Sequence, residues 1–396
     1  MKKKIIFMAI NMNVGGTEKA LLNMISEIPN NEYEVTILML EKYGDFLNHI
    51  QSNVHVKFLK RYNDIKDELN NPPKLTAFKH FKRGKFIKCF NIIVAHSISK
   101  VLKNRSVYFK YILGKYPVID EEYDIAVAYA GPMDFISYFV IKKIKAKKKI
   151  QWIHFDITKI GFDKNFASKI YNKFDQIFVV SNDARNRLVE TLPSIKDKTE
   201  VFYNLVSSKD IKDQANRSKG FVDDFDGIRI VTVGRLTNEK GQDLAIKVLK
   251  RLIEEGNKVK WYCIGEGNSR KWYEKLVEEY ELKNNFHFLG SNPNPYPYMK
   301  QCDIYVQPSR HEGYCITLAE AKCLHRPIVT TNFTGSAEQI INGETGLIVS
   351  IDENEIYKAV KNLINNRKLR KELTDNLARE HFETRYDLSK LFVMEG

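Results

Sequence analysis

The sequence predicts an α/β chain folded as two doubly wound domains that face each other across a cleft. Its 396 residues exceed what one hydrophobic core usually serves. Short β-rich runs alternate with helical patterns in both halves, the signature of parallel sheets covered by helices. Between the halves, residues 207–227 are polar, charged and poor in apolar side chains, and they read as a linker. The expected division is therefore 1–206 for the first domain, 207–227 for the linker, 228–380 for the second domain, and 381–396 for a terminal helix that crosses back to the first.

In the first half the strands are expected at 4–10, 34–40, 123–130, 149–155 and 176–181. The first strand runs into Asn13-Val14-Gly15-Gly16-Thr17-Glu18, after which Leu21, Met24, Ile25 and Ile28 recur at helical spacing. Paired glycines let a ligand approach the backbone, and a helix start offers free N–H groups to an anion. The loop is not GxGxxG, so a dinucleotide fingerprint is absent, and alone it reads equally well as a tight turn.

In the second half the strands are expected at 229–233, 258–264, 286–289, 304–307, 327–330 and 347–349. Ligands of such sheets bind at the carboxyl ends of the strands, so residues just past each strand carry most weight. The first strand leads into Gly234-Arg235-Leu236-Thr237-Asn238-Glu239-Lys240-Gly241. A guanidinium and an ammonium five residues apart can clamp a diphosphate, or they are two surface cations. Strand 304–307 runs into Pro308-Ser309-Arg310-His311-Glu312-Gly313-Tyr314-Cys315 and then a helix holding Glu320. Glu312 and Glu320 lie up to about 12 Å apart at helical rise. That span suits two carboxylates accepting from the hydroxyls at opposite ends of a nucleotide sugar, with the diphosphate at the helix start between them.

Composition narrows the class. With 43% hydrophobic residues and a mean hydropathy of −0.39, the chain is a globule, neither disordered nor low in complexity. Five cysteines without a CxxC pair argue against a disulfide framework or thiolate zinc site and fit a reducing cytoplasm. The amino terminus turns polar within a few residues, too soon for an export signal, and no apolar run is long enough to span a bilayer.

The net charge of +14 is concentrated. Residues 69–119 hold eleven Lys and Arg and no Asp or Glu, residues 142–149 hold six lysines, and the rest of the chain sums to −3. In 69–119 the bases interleave with aromatic and aliphatic residues, as in a helix lying on an anionic membrane. A solvated basic face over ordinary core residues is the plainer reading. Nucleic-acid binding finds no RNP, helix-turn-helix or zinc-finger pattern to support it.

Together these residues resemble the retaining glycosyltransferases of family GT4, which have the GT-B fold and include transferases of bacterial capsule, lipopolysaccharide and teichoic-acid synthesis. The resemblance rests on Gly234-Arg235 with Lys240-Gly241, Gly265-Glu266-Gly267, Phe288-Leu289-Gly290, Pro308-Ser309, the Glu312 and Glu320 pair, and Gly343 to Gly346 with Leu347. In the first half only Gly15-Gly16 and His154 match. It implies that Arg235 and Lys240 neutralise the donor diphosphate, that Glu312 holds the donor sugar and Glu320 the ribose, and that the backbone at Thr317 and Leu318 meets phosphate oxygens. It further implies that Gly15, Gly16, Gly265, Leu289, Gly313 and Tyr314 border the donor. Gly16, Thr17 and His154 would border the acceptor, with His154 beside the reacting carbon.

The implied reaction is front-face substitution with retention, needing neither a protein nucleophile nor a metal or other cofactor. Asp224-Phe225-Asp226, the one Asp-x-Asp, falls in the linker. The expected enzyme is a hexosyltransferase moving a sugar from a UDP-sugar to a cell-surface glycan, at the inner face of the plasma membrane. A polyprenyl-diphosphate-linked acceptor is the form that the charge position favours. An epimerase or hydrolase of nucleotide sugars on the same fold, and a non-catalytic nucleotide- or RNA-binding protein, are the alternatives.

Overall fold

The computed structural model describes residues 2–114, 116–380 and 388–392. The first domain contains strands β1 (Lys3–Ala9), β2 (Tyr33–Met39), β3 (His55–Phe58), β4 (Ile119–Gly131), β5 (Ile144–Ile153), β6 (Gln176–Val179) and β7 (Thr199–Val201). They form one all-parallel sheet in the order β3-β2-β1-β4-β5-β6-β7. Its helices are α1 (Gly16–Glu27), α2 (Lys66–Asn70), α3 (Pro73–Lys82), α4 (Phe86–Val101), α5 (Arg105–Leu113), α6 (Asp134–Lys143), α7 (Lys164–Ile170) and α8 (Asn182–Thr191). β1 shows why the sheet is sandwiched: Ile5 and Phe7 enter the core on one face, Ile6 and Met8 that on the other.

The second domain begins with α9 (Ser208–Asn216) and carries β8 (Ile228–Val233), β9 (Val259–Ile264), β10 (Phe286–Phe288), β11 (Ile304–Gln307), β12 (Ile328–Thr331) and β13 (Leu347–Val349). This sheet is also parallel, in the order β10-β9-β8-β11-β12-β13. Around it lie α10 (Gln242–Glu254), α11 (Arg270–Glu279), α12 (Tyr296–Gln301), α13 (Ile316–Cys323), α14 (Glu353–Asn365) and α15 (Arg367–Arg379). In each sheet the strand order reverses once, between β1 and β4 and between β8 and β11. A crevice opens at such a switch point, outside the carboxyl ends of the strands. The expected fold class, two Rossmann-like domains facing a cleft, is what the chain adopts.

Three features depart from the sequence reading. The edge strands β3 and β7 escaped it: β3 is four residues with three exposed, and β7 is three residues long, so neither carries a usable alternation. Part of the expected linker is helix α9. Its Ser207 cap accepts from the Asp210 N–H at 3.2 Å, and Ile211 and Ala215 are buried in the second domain's core; two apolar residues on one face are hidden in a polar average. The lysine run 142–149 is not one basic face, because it forms the end of α6 and the start of β5, whose side chains alternate. Lys143 bonds the Tyr116 carbonyl, Lys147 pairs with Asp124 at 2.7 Å, Lys148 is buried, and Lys149 reaches the Ile141 carbonyl at 3.0 Å.

The chain crosses between domains abruptly. Leu205 is buried in the first domain's core and its neighbour Val206 in the second's. Of the expected crossing segment 381–396, residues 381–387 and 393–396 lie outside the described residues. Helix α16 (Ser389–Phe392) sits on the first domain, with Leu391 fully buried there and Phe392 stacked on Tyr33 at 4.1 Å. Among the described residues no helix is long and apolar enough to cross a membrane.

Candidate active site

The loops after β8 and β11, which flank the switch point of the second sheet, build most of the site. They are pressed together at Gly241, whose φ of +71° belongs to the left-handed region; a Cβ there would fall 2.0 Å from the Pro308 carbonyl oxygen. Arg310 braces the same junction with two bonds to Asp243, at 2.8 and 2.5 Å, and its N–H donates to the Glu239 carbonyl at 2.7 Å.

This junction brings Lys240 to Glu312. The ammonium lies 2.7 Å from each carboxylate oxygen, and both side chains are largely withdrawn from water, 17% and 8% exposed. A relay of hydroxyls and an amide fixes the carboxylate from behind. Ser309 donates to Glu312 at 2.7 Å, Gln307 to Ser309 at 2.8 Å, and the Tyr305 hydroxyl to Gln307 at 2.7 Å. Thr317 joins at 3.2 Å from the Gln307 amide oxygen. Arg235 stands apart: its side chain is 53% exposed, and its one side-chain ion pair among the described residues is with the half-buried Glu239, at 3.3 Å. It is thus a weakly committed cation.

Helix α13 starts beside this cluster. The Leu318 N–H is spent on the Cys315 carbonyl at 3.1 Å. Of the two backbone groups expected to meet phosphate, Leu318's is therefore engaged within the helix's own first turn. Glu320 is 3% exposed and accepts from the Tyr296 hydroxyl at 2.7 Å. Burial raises its pKa, opposed by Lys19 and the Tyr296 bond. Lys19, from the first domain, also lies 5.5 Å over the Tyr296 ring. The two glutamates thus have separate partners: Glu312 sits with Lys240 and Glu320 with Tyr296 and Lys19.

Gly265 and Leu289 lie at the ends of β9 and β10. Gly265 donates to the Gly290 carbonyl at 2.8 Å, and Leu289 to that of Cys263 at 2.9 Å. Tyr314 packs against the cores of both domains, 5.9 Å from the Tyr203 ring.

Across the cleft, His154 follows β5. It is 5% exposed, edge-on to Tyr129 at 4.5 Å. Burial lowers its pKa to about 3, against a hydrogen bond to the Tyr129 backbone, so the ring is neutral. Its Nε2 is buried with no hydrogen-bond partner among the described residues, an unmet polar atom of a kind that native structures seldom leave unsatisfied. Gly15 and Gly16 open α1 directly opposite α13: a Cβ on Gly16 would sit 3.4 Å from the Ile316 side chain. Thr17, next along, occupies the first turn of α1.

Sequence order missed Glu18, Lys19, Ser309 and Tyr296. Burial raises the pKa of Glu18, and the charge of Arg235 in the other domain lowers it. Ser309 stood in a quoted motif, whereas Tyr296 and Lys19 had no signal, being distant in the chain from Glu320. The Asp224-Phe225-Asp226 triplet lies away from the cleft, with Asp226 paired to Lys258.

The domains also meet at Glu338, whose two oxygens accept from the Asn182 and Asp183 N–H groups at 2.9 and 3.0 Å. Asp156 accepts from Thr334 at 2.9 Å.

Residues 214–380 match the family described as Glycosyl transferases group 1. A Campylobacter jejuni protein named N-acetylgalactosamine-N,N'-diacetylbacillosaminyl-diphospho-undecaprenol 4-alpha-N-acetylgalactosaminyltransferase is 29% identical over 211 residues, 53% of this chain and 56% of that one. The Staphylococcus aureus capsular polysaccharide biosynthesis glycosyltransferase CapM is 30% identical over 171 residues, 41% of this chain and 43% of that one. The chain thus spans about half the length of these curated relatives. In structure it resembles a point mutant of S. aureus TarM, solved with fondaparinux, alpha-GlcNAc-glycerol and UDP. The TM-score is 0.69 at 16% identity, covering 98% of each chain. That likeness identifies the two-domain arrangement as GT-B.

Proposed function

We propose, from the match of residues 214–380 to the family Glycosyl transferases group 1, that this chain transfers a glycosyl residue from a nucleoside-diphosphate sugar to a growing glycan of the cell envelope. The observation that carries the reading is the Lys240–Glu312 pair at the switch point of the second sheet. His154, whose buried Nε2 has no hydrogen-bond partner among the described residues, stands across from the pair at the end of β5, its carbonyl oxygen against Gly313.

In this reading Arg235 and Lys240 take the charge of the departing diphosphate, the electrostatic work a metal does elsewhere. Glu312, held by Lys240 and Ser309, accepts from hydroxyls of the donor sugar, and Glu320 from the ribose. The bond from the anomeric carbon to the phosphate oxygen breaks as the acceptor oxygen bonds that carbon from the same face. The acceptor's proton passes to the leaving phosphate, and configuration is retained. Neutral His154 positions a hydroxyl and does not donate a proton, since burial holds its pKa at about 3.

UDP is the proposed nucleotide, supported by the UDP bound to TarM. A lipid-linked acceptor at the inner face of the plasma membrane is supported by the exposed apolar residues of α3 and α4 among lysines. The diphospho-undecaprenol in the Campylobacter relative's name points the same way.

Thermal unfolding with UDP, GDP and ADP tests it. UDP at a hundred times its Kd adds about 2.7 kcal/mol to wild type, and an Arg235→Ala, Lys240→Ala variant loses that gain. Equal stabilisation of both proteins, or none by any nucleotide, overturns the donor site.

A further inference from the structure

Glu320 is a buried carboxylate with no cation in its own domain. It is 3% exposed, and among the described residues its carboxylate accepts one hydrogen bond, from the Tyr296 hydroxyl at 2.7 Å, and makes no ion pair. A carboxylate withdrawn this far from water needs an opposite charge nearby, or it gives up its ionisation. The second domain's groups packed around it supply none. Tyr296 comes from α12, Tyr305 from β11 and Cys323 from α13 itself, and burial raises the pKa of each, so all three stay neutral. Helix α9 adds Asp210, whose charge acts on Tyr296, and Lys212, whose charge acts on Cys323; neither is among the charges that act on Glu320.

The cation arrives from the first domain. Lys19, on α1, holds its ammonium 5.8 Å from the ring centre of Phe46 in its own domain and 5.5 Å from that of Tyr296 in the other, both within cation–π range. The ammonium makes no ion pair or hydrogen bond among the described residues. It lies in the wall of an interdomain cavity of about 350 Å³, shared with Gln214, Arg217 and Asn294, and that wall contains no Asp or Glu to compete for its charge. The helices are set for the meeting. Where α1 faces α13, a Cβ on Gly16 would sit 3.4 Å from Ile316, and Lys19 and Glu320 follow these two by one helical turn on the same faces. The Lys19 charge lowers the pKa of Glu320, as the Tyr296 bond does.

We infer that Lys19 is a positioning residue of the donor site, supplying from the first domain the positive charge that lets Glu320 accept from the ribose hydroxyls as a carboxylate. The inference rests on the reading of Glu320 as the partner of the ribose. The grip on the ribose is then complete only while the domains are closed, because the carboxylate and its cation belong to different ones.

The full chain is titrated calorimetrically with UDP and with 2′-deoxy-UDP from pH 8 to pH 4.5. The ratio of the two affinities isolates the ribose, since the titration of the diphosphate is common to both ligands. In wild type the ratio should fall by about fivefold as the carboxylate takes up a proton and its bonds to hydroxyls lose their charge assistance. In Lys19→Gln the fall should come at higher pH, because losing a nearby positive charge raises a carboxyl's pKa. Lys19→Arg should return it to the wild-type pH. Phe46→Leu, which removes one ring beside the ammonium and keeps the charge, should leave it unmoved.

A fall at the same pH in Lys19→Gln as in wild type overturns the inference. So does a fall that Phe46→Leu moves as far, or that Lys19→Arg fails to restore, since Lys19 would then act only by packing against the rings. Equal binding of the two ligands by wild type at every pH removes the ribose from Glu320, and this inference with it, while Arg235 and Lys240 keep the diphosphate. Binding of neither ligand overturns the donor site itself.

Discussion

The main chain of Gly313 rests against the main chain of His154: a Cβ on Gly313 would fall 1.9 Å from the His154 carbonyl oxygen. The donor-side loop and the acceptor-side strand end thus touch, backbone to backbone, at a point no other residue type fits. Gly313→Ala should wedge the domains apart there and lower turnover by about a hundredfold, as expected when reacting groups shift by an ångström. Nucleotide-induced stabilisation should stay near wild type. Steady-state kinetics beside thermal shift checks the split, and unchanged turnover would refute it.

Lys240 and Glu312 share a nearly dry contact. Removing the ammonium with Lys240→Ala leaves the carboxylate without its cation, at a cost of about 3 kcal/mol. Adding Glu312→Gln should recover most of that stability and none of the transfer activity. Denaturant unfolding and product assay of the single and double variants test both statements.

His154 gives a pH signature. Burial lowers its pKa from 6.5 to about 3, so between those values the unfolded chain binds a proton that the folded chain refuses. Its contribution to stability is complete above 6.5 and is lost as pH falls, at about 1.4 kcal/mol per pH unit. Burial also lowers the pKa of His287 and His325, so the difference between wild type and His154→Gln isolates this residue. Urea unfolding of both at pH 4.5 to 6.5 should show the shallower slope in the variant. The rate profile from pH 6 to 8 should carry no limb that His154→Gln removes.

Glu320 is expected to read the ribose. Glu320→Gln should cost about 2 kcal/mol of UDP affinity, roughly thirtyfold, and erase the preference for UDP over 2′-deoxy-UDP. Because burial raises the pKa of this carboxyl, wild-type affinity should weaken as pH falls toward that value. Calorimetric titrations at two pH values measure both effects.

Much of the site was legible because each of its loops begins where a strand stops, and a strand's end can be read from a run of apolar residues meeting glycine and charge. Val233 before Gly234 and Gln307 before Pro308 are such ends. What lay between distant segments was not legible. Tyr296 and Glu320 are 24 residues apart, and Lys19 reaches them from another domain. Lysines 142–149 looked like a basic surface because charge was counted without the strand's alternation, which sends Lys148 inward.

Leu205 and Val206 are consecutive residues buried in different cores, and α16 fastens the far end of the chain back onto the first domain. Between Leu205 and Val206 a single trans peptide, about 3.8 Å from Cα to Cα, is all that separates the two hydrophobic interiors, so there neither core can shift past the other by more than one peptide's reach.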